Sequence, residues 1–234
     1  MVRSIPEILE KTRPYKEAAE KYGITFYQAH APFPSSSADE EKSEAIFADI
    51  AARGLSVDSL VLNAANLGTG QVSLDVDIDE FMNVYNTNIG WNFMLAREAA
   101  KQMKEKKKGA IVFIGSNSSV RVTENRCAYC SSKSAINAMS KSFAVDFGKY
   151  GIRSNCVLPG MIKTDRWVKN PDFYKTVPSR YTPLGDVAVG EDVADAAFYF
   201  AAHARNTTGA ELTVDGGNMI QLYPVIPSSK NFCG

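Results

Sequence analysis

Three short apolar runs constrain this chain more than any other feature: SLVLNAA at 59–65, GAIVFIGS at 109–116 and IRSNCVLPG at 152–160. An uninterrupted apolar run is what a parallel strand covered on both faces shows, because a strand with one wet face alternates instead. Between the runs lie long helical patterns at 78–105 and 127–149, the second stopped by Gly151. A further amphipathic helix at 190–204 leads to a last strand, 210–217, that closes on two glycines. Strand and helix in strict alternation give an α/β fold with a doubly wound parallel sheet. At 234 residues the whole chain, 1–234, is expected to be one domain.

The flanks read less regularly. Residues 1–23 form an N-terminal helical segment with apolar side chains at helical spacing over 5–22, and 24–29 reads as a strand. After a Pro/Ser loop at 31–37, Ser37 and Glu40 make a capping box for a helix ending near Gly54. The segment 161–189 has little periodicity and reads as a substrate or lid loop. Its Trp167, Phe173, Tyr174 and Tyr181 point to an apolar or aromatic ligand. The tail, 218–234, is apolar and contains proline, which suits packing against a neighbouring subunit.

Composition narrows the partners. Lysine and arginine together number 26, as do aspartate and glutamate, so no basic excess points to nucleic acid. No apolar run reaches the roughly 18 residues of a membrane span and no signal-peptide core is visible, so no membrane is expected and the compartment expected is cytoplasmic. Cys127, Cys130, Cys156 and Cys233 do not make a disulfide framework. With only His30 and His203 beside them, no metal site is expected. The basic run at 101–109 reads as a solvated helix end.

The stretch CAYCSSKSA, 127–135, interleaves two pairs. Cys127 and Cys130 form a C-x-x-C that is read as small buried cysteines on a helix. Tyr129 and Lys133 lie one turn apart on one helix face. A nearby ammonium favours the phenolate, which would make a slow acid a useful general acid/base.

Around that pair the chain resembles the short-chain dehydrogenase/reductase family. Ser116 precedes Tyr129 by the family's spacing, LNAA (62–65) resembles N-N-A-G, and TNIG (87–90) resembles the helix motif that carries a catalytic asparagine. Downstream, PGMIKT (159–164) resembles P-G-x-x-x-T and TVDGG (213–217) the terminal v-D-G-G. The resemblance implies a Rossmann-like sheet and roles: Tyr129 exchanges the proton, Ser116 holds the substrate oxygen, Lys133 acidifies Tyr129 and binds the nicotinamide ribose, and Asn88 positions Lys133 through water. Ser118 and Ser119 are read as turn residues. The resemblance further implies NADP or NAD against Asn63, Ala64, Ala65, Tyr129, Lys133, Pro159, Gly160, Ile162 and Thr164. It also implies a homodimer or homotetramer built through helices 78–105 and 127–149.

The family's opening T-G-x-x-x-G-x-G turn has no counterpart here, so the fold is expected to be N-terminally truncated, and Leu67-Gly68-Thr69-Gly70 does not replace the turn. Tight nucleotide binding by the chain as written is therefore not expected. Three functions follow: an oxidoreductase acting on the carbonyl or alcohol of a small molecule; a cofactor-independent isomerase, lyase or cyclase using Tyr129 and Lys133; or a non-catalytic interaction protein.

Overall fold

The computed structural model describes residues 40–164 and 180–223, all within one compact unit that spans 34–234. The helix expected at 5–22, the strand at 24–29, Ser37, most of the aromatic loop and the tail beyond 223 lie outside the described residues. Four strands form the described sheet: β1 (Ser59–Leu62), β2 (Gly109–Ile114), β3 (Ile152–Pro159) and β4 (Glu211–Val214). They pair in chain order and every pair is parallel, with Ser59 opposite Ala110, Gly109 opposite Ile152 and Cys156 opposite Glu211.

Alternation along β2 shows why its apolar run is continuous. Ile111 and Phe113 join a core with Leu62, Leu158 and Cys156 under three helices: α1 (Glu40–Ala52), α3 (Trp91–Lys106) and α4 (Cys127–Gly148). Val112 and Ile114 face the other way, against Ala196, Ala197 and Phe200. That second cover is α5 (Gly190–Phe198) with a π-helical turn, Tyr199–His203. Successive side chains point to opposite faces, so a strand with helices on both sides must be apolar at every position.

The helix expected at 78–105 is three pieces: α2 (Ile78–Tyr85), a π-helical turn (Asn86–Gly90) and α3. The Trp91 amide donates to the carbonyl of Asn86, one residue further back than in an α-helix. The added residue rotates the turn so that Asn88 is fully buried, with Trp91 and Asn92 behind it. Lys107 ends α3 in the left-handed region, and Lys106 reaches back to the Ser56 hydroxyl (2.9 Å) and the Val57 carbonyl (3.2 Å). The basic run is thus a helix end pinned to the loop before β1.

Gly115 is required by space: a Cβ there would stand 2.8 Å from both Cys156 Sγ and Leu158 Cδ2. Small residues just beyond β2 and β3 keep the carboxyl ends of the strands open, which is where ligands enter sheets of this kind.

Candidate active site

Ser116 follows Gly115 off the end of β2. Its backbone is extended, its Oγ accepts from the Ser118 amide (3.1 Å), and a 3-10 turn, Asn117–Ser119, starts there. Ser116 is buried, and its hydroxyl lies near enough to the phenol of Tyr129, which arrives from the first turn of α4, to favour the ionised phenol. One turn on, Lys133 is 3 % exposed; its Nζ lies 5.7 Å from the Tyr129 ring centroid and donates to the carbonyl of Ile114 at 2.7 Å. Ser116, Tyr129 and Lys133 therefore meet at the carboxyl end of β2.

The electrostatics differ from expectation. Burial pushes the Tyr129 phenol up, and this outweighs the Ser116 hydrogen bond and the charge of Arg126, which pull it down. Lys133 is not among the groups that pull the phenol down. It is itself held down to about 8 by burial from an ordinary value near 10.5, so it stays mostly charged at neutrality and loses its charge as pH rises through about 8. Loss of water around the ammonium disfavours its charged form, and among the described residues no carboxylate contributes to offset it.

Asn88 reaches the site through α4. Its Oδ1 accepts from the Asn66 amide (2.7 Å), while its Nδ2 donates to the Asn66 carbonyl (2.9 Å) and to Ser132 Oγ (2.9 Å). Ser132 Oγ in turn donates to the carbonyl of Tyr129 (2.8 Å). One side chain thus clamps the loop after β1 to the first turn of the helix that carries Tyr129. The Asn88 carbonyl accepts from Asn92 Nδ2 at 2.8 Å.

Sequence reasoning passed over Ser132, Asn66 and Asn137. Ser119 was read only as a turn residue, yet its Oγ donates to the Ser116 carbonyl (2.6 Å) and accepts from Asn137 Nδ2 (2.9 Å). Ser132 and Asn137 are polar residues on the buried face of α4, and that was the available signal. Arg126 was missed too: its NH1 donates to the Leu67 and Gly68 carbonyls, both at 3.1 Å, and so fastens the 67–70 loop to the start of α4.

The cysteine expectation holds for one member of its pair. Cys130 is buried, but Cys127 is exposed, because it is the first residue of α4 and its side chain precedes the packed turns.

The residues expected to hold a nicotinamide cofactor gather at the same end of the sheet. Asn63, Ala64 and Ala65 follow β1 and are exposed; Pro159 ends β3; Gly160 is half-buried; Ile162 bridges Ala188, and Thr164 is exposed. A Cβ on Gly160 would stand 2.5 Å from Asp215 Cβ, so only glycine lets β3 run out beside the turn after β4. Asp215 holds that turn by accepting from the Gly217 (2.9 Å) and Met219 (2.7 Å) amides. This set fits the nicotinamide-ribose half of such a cofactor: open backbone at 63–65, and an ammonium with three donors of which Ile114 takes one. Among the described residues no group of three or more His, Cys, Asp or Glu could hold a metal, and no helix is long and apolar enough to cross a membrane.

A family model described as enoyl-(acyl carrier protein) reductase matches residues 10–218. The chain belongs to the short-chain dehydrogenase/reductase family. It is similar to a 7alpha-hydroxysteroid dehydrogenase of Paraclostridium sordellii, 34% identical over 160 residues, which are 65% of this chain and 60% of that protein. It is also similar to the 3-oxoacyl-(acyl-carrier-protein) reductase FabG of Rickettsia typhi, 33% identical over 165 residues, 70% of this chain and 68% of the relative. Among solved structures, ElxO with NADP bound superposes with a TM-score of 0.77 at 29% identity, covering 91% of this chain and 85% of that one. A 4-hydroxyisoleucine dehydrogenase complexed with NADH gives 0.68 at 29% identity, covering 80% and 79%. This short-chain dehydrogenase/reductase thus has the parallel, helix-covered sheet of an oxidoreductase family.

Proposed function

We propose that the chain is a nicotinamide-dependent oxidoreductase that interconverts a carbonyl and an alcohol on a small apolar or aromatic molecule. The observation that carries this reading is the meeting of Ser116, Tyr129 and Lys133 at the carboxyl end of β2, with Lys133 Nζ held on the Ile114 carbonyl and Ser116 acting on the Tyr129 phenol. When bound, NADP or NAD supplies or takes up the hydride. Tyr129 Oη gives its proton to the carbonyl oxygen in reduction and takes one from the alcohol in oxidation. Ser116 Oγ donates to the same oxygen and so holds it within reach of the phenol.

Burial explains the direction of the Tyr129 shift and favours the protonated phenol, the form that reduction uses. Lys133 stands on the same helix face, where donors left over from Ile114 suit ribose hydroxyls.

Two further parts of the reading concern assembly and substrate. Helices α3 and α4 are proposed to form the subunit interface, since Phe93 and Val145 are exposed apolar side chains on them. Light scattering should then report a dimer or tetramer, and a monomer at micromolar concentration would contradict the proposal. The exposed Tyr181 and, in the sequence before it, Trp167, Phe173 and Tyr174 support an apolar or aromatic substrate.

The function is tested by incubating the chain with NADPH or NADH and a panel of aliphatic and aromatic ketones and aldehydes while following loss of the reduced nucleotide. Consumption that depends on both carbonyl and nucleotide supports the reading. Turnover of a substrate with no nucleotide added would favour proton-transfer chemistry by Tyr129 and Lys133 instead.

A further inference from the structure

Cys127 and Cys130 take no part in the chemistry above, yet their placement is specific. Cys127 is the first residue of α4 and is exposed; Cys130, three residues on, is buried, and Tyr129 lies between them in the chain. The turn joining them is closed, with the Cys130 amide donating to the Arg126 carbonyl at 2.8 Å. Residues three apart in an α-helix share a face, and the helix rise and radius put their Cα atoms about 5 Å apart. Disulfides span Cα separations of about 4.4–6.8 Å, which this turn meets, whereas Cβ atoms three apart on a helix stand about 5–6 Å apart against about 3.5–4.5 Å in a disulfide, so closing one pulls the first turn together. Cys130 Sγ sits 4.0 Å from the Thr123 carbonyl, a weak bond that a disulfide would replace. The third described cysteine, Cys156, is buried in β3 against Asn137 and is no competitor for Cys127.

We propose that Cys127 and Cys130 are an oxidisable dithiol, a modification site for hydroperoxides, whose disulfide closes across the turn that presents Tyr129. The exposed thiol meets the oxidant. Cys127, as its thiolate, attacks one peroxide oxygen; the S–O bond forms, the O–O bond breaks and water leaves after protonation, giving a sulfenic acid. Cys130 then attacks that sulfur; the S–S bond forms, the S–O bond breaks and a second water leaves. Two thiols and one hydrogen peroxide become one disulfide and two waters, with two electrons passing from sulfur to oxygen.

The buried member resolves the sulfenic acid before a second peroxide arrives, which keeps the change reversible by a dithiol reductant. A disulfide draws in the first turn of α4, and that turn sets the Tyr129 hydroxyl against Ser116. The consequence for Tyr129 rests on its proposed acid/base role, whereas the thiol chemistry does not.

The experiment treats the reduced full-length protein with hydrogen peroxide near stoichiometry and maps the products by peptide mass. A Cys127–Cys130 linked peptide, two hydrogens lighter and reversed by dithiothreitol, is expected. In Cys130→Ser, Cys127 should accumulate sulfenic acid trapped by dimedone, and in Cys127→Ser neither should form. Cys127 reaching sulfinic acid in the native chain with Cys130 still a thiol, or pairing of Cys127 with another cysteine, would overturn the dithiol. The coupling to Tyr129 is read without turnover, from tyrosinate absorbance of oxidised and reduced protein with the Tyr129→Phe background subtracted. A changed midpoint is expected, and an identical one would overturn the coupling while leaving the function assay above to stand or fall separately.

Discussion

The two helical segments that flank the site place polar side chains in a buried space by opposite means. Along α4 the ladder is unbroken over Cys127–Gly148, and ordinary helical spacing brings Tyr129, Ser132, Lys133 and Asn137 onto the side facing the sheet and the neighbouring helix. The α2–α3 segment reaches the same space only by breaking its ladder at Asn86–Gly90 and turning Asn88 inward. Regular spacing suffices when the polar group must repeat down one face. Asn88 is followed by Asn92 and Glu98 among the buried residues of the α2–α3 segment, so the π-helical turn sets the phase of a short polar row, and such turns are frequent at functional sites.

If that contrast is right, the out-of-phase residue should be the costlier one to truncate. Asn88→Ala would leave the half-buried Asn66 amide and carbonyl without their side-chain partner and cut the buried tie to Ser132, with a loss of about 2 kcal/mol. Urea unfolding measures it, and a loss under about 1 kcal/mol would show that the π-helical turn does not depend on this clamp.

Lys133→Met sharpens the other half of the comparison. The folded-state value of Lys133, about 8, lies below its ordinary 10.5, so the native chain binds fewer protons there than the unfolded chain does between those values. Native stability should therefore rise with pH through that window, by up to about 3 kcal/mol from this group. The methionine variant should lack the rise, and parallel pH profiles for the two proteins would contradict the assignment.

Smaller effects follow on the rest of α4. Ser132→Ala removes one acceptor and one donor while preserving the helix, and should cost about 1 kcal/mol in the same denaturation experiment. Ser116→Ala removes the acceptor of the Ser118 amide, costing about 1 kcal/mol, and should raise the tyrosinate titration of Tyr129, because Ser116 is the largest influence holding that phenol down. A lower or unchanged midpoint would separate the two hydroxyls.

What could be read from the sequence follows the same division. The strands at 109–114 and 152–159 and the helix at 127–148 were legible because burial on both faces or a steady 3.6 period writes itself into composition. The run at 59–65 proves to be strand only to Leu62, since Asn63–Ala65 leave the ladder to line the open end of the sheet. The π-helical turn was illegible because TNIG has nothing in its composition that distinguishes it from an ordinary turn of helix. The sign of the Tyr129 shift was misjudged for a related reason: a sequence shows that Lys133 stands one turn away, but not that both groups have lost their water. Cys127 escaped because exposure at a helix start is set by where the first turn packs.

The central claim is that the hydroxyl of Tyr129, presented by the unbroken helix, exchanges the proton. Tyr129→Phe removes that one atom from a half-buried ring, so circular dichroism and unfolding should match the native chain. The measurement is nucleotide-dependent turnover of the variant against the native protein on one carbonyl substrate. A loss of about 10²–10⁴-fold with nucleotide affinity retained is the expected result, and a variant that turns over at the native rate would contradict the account.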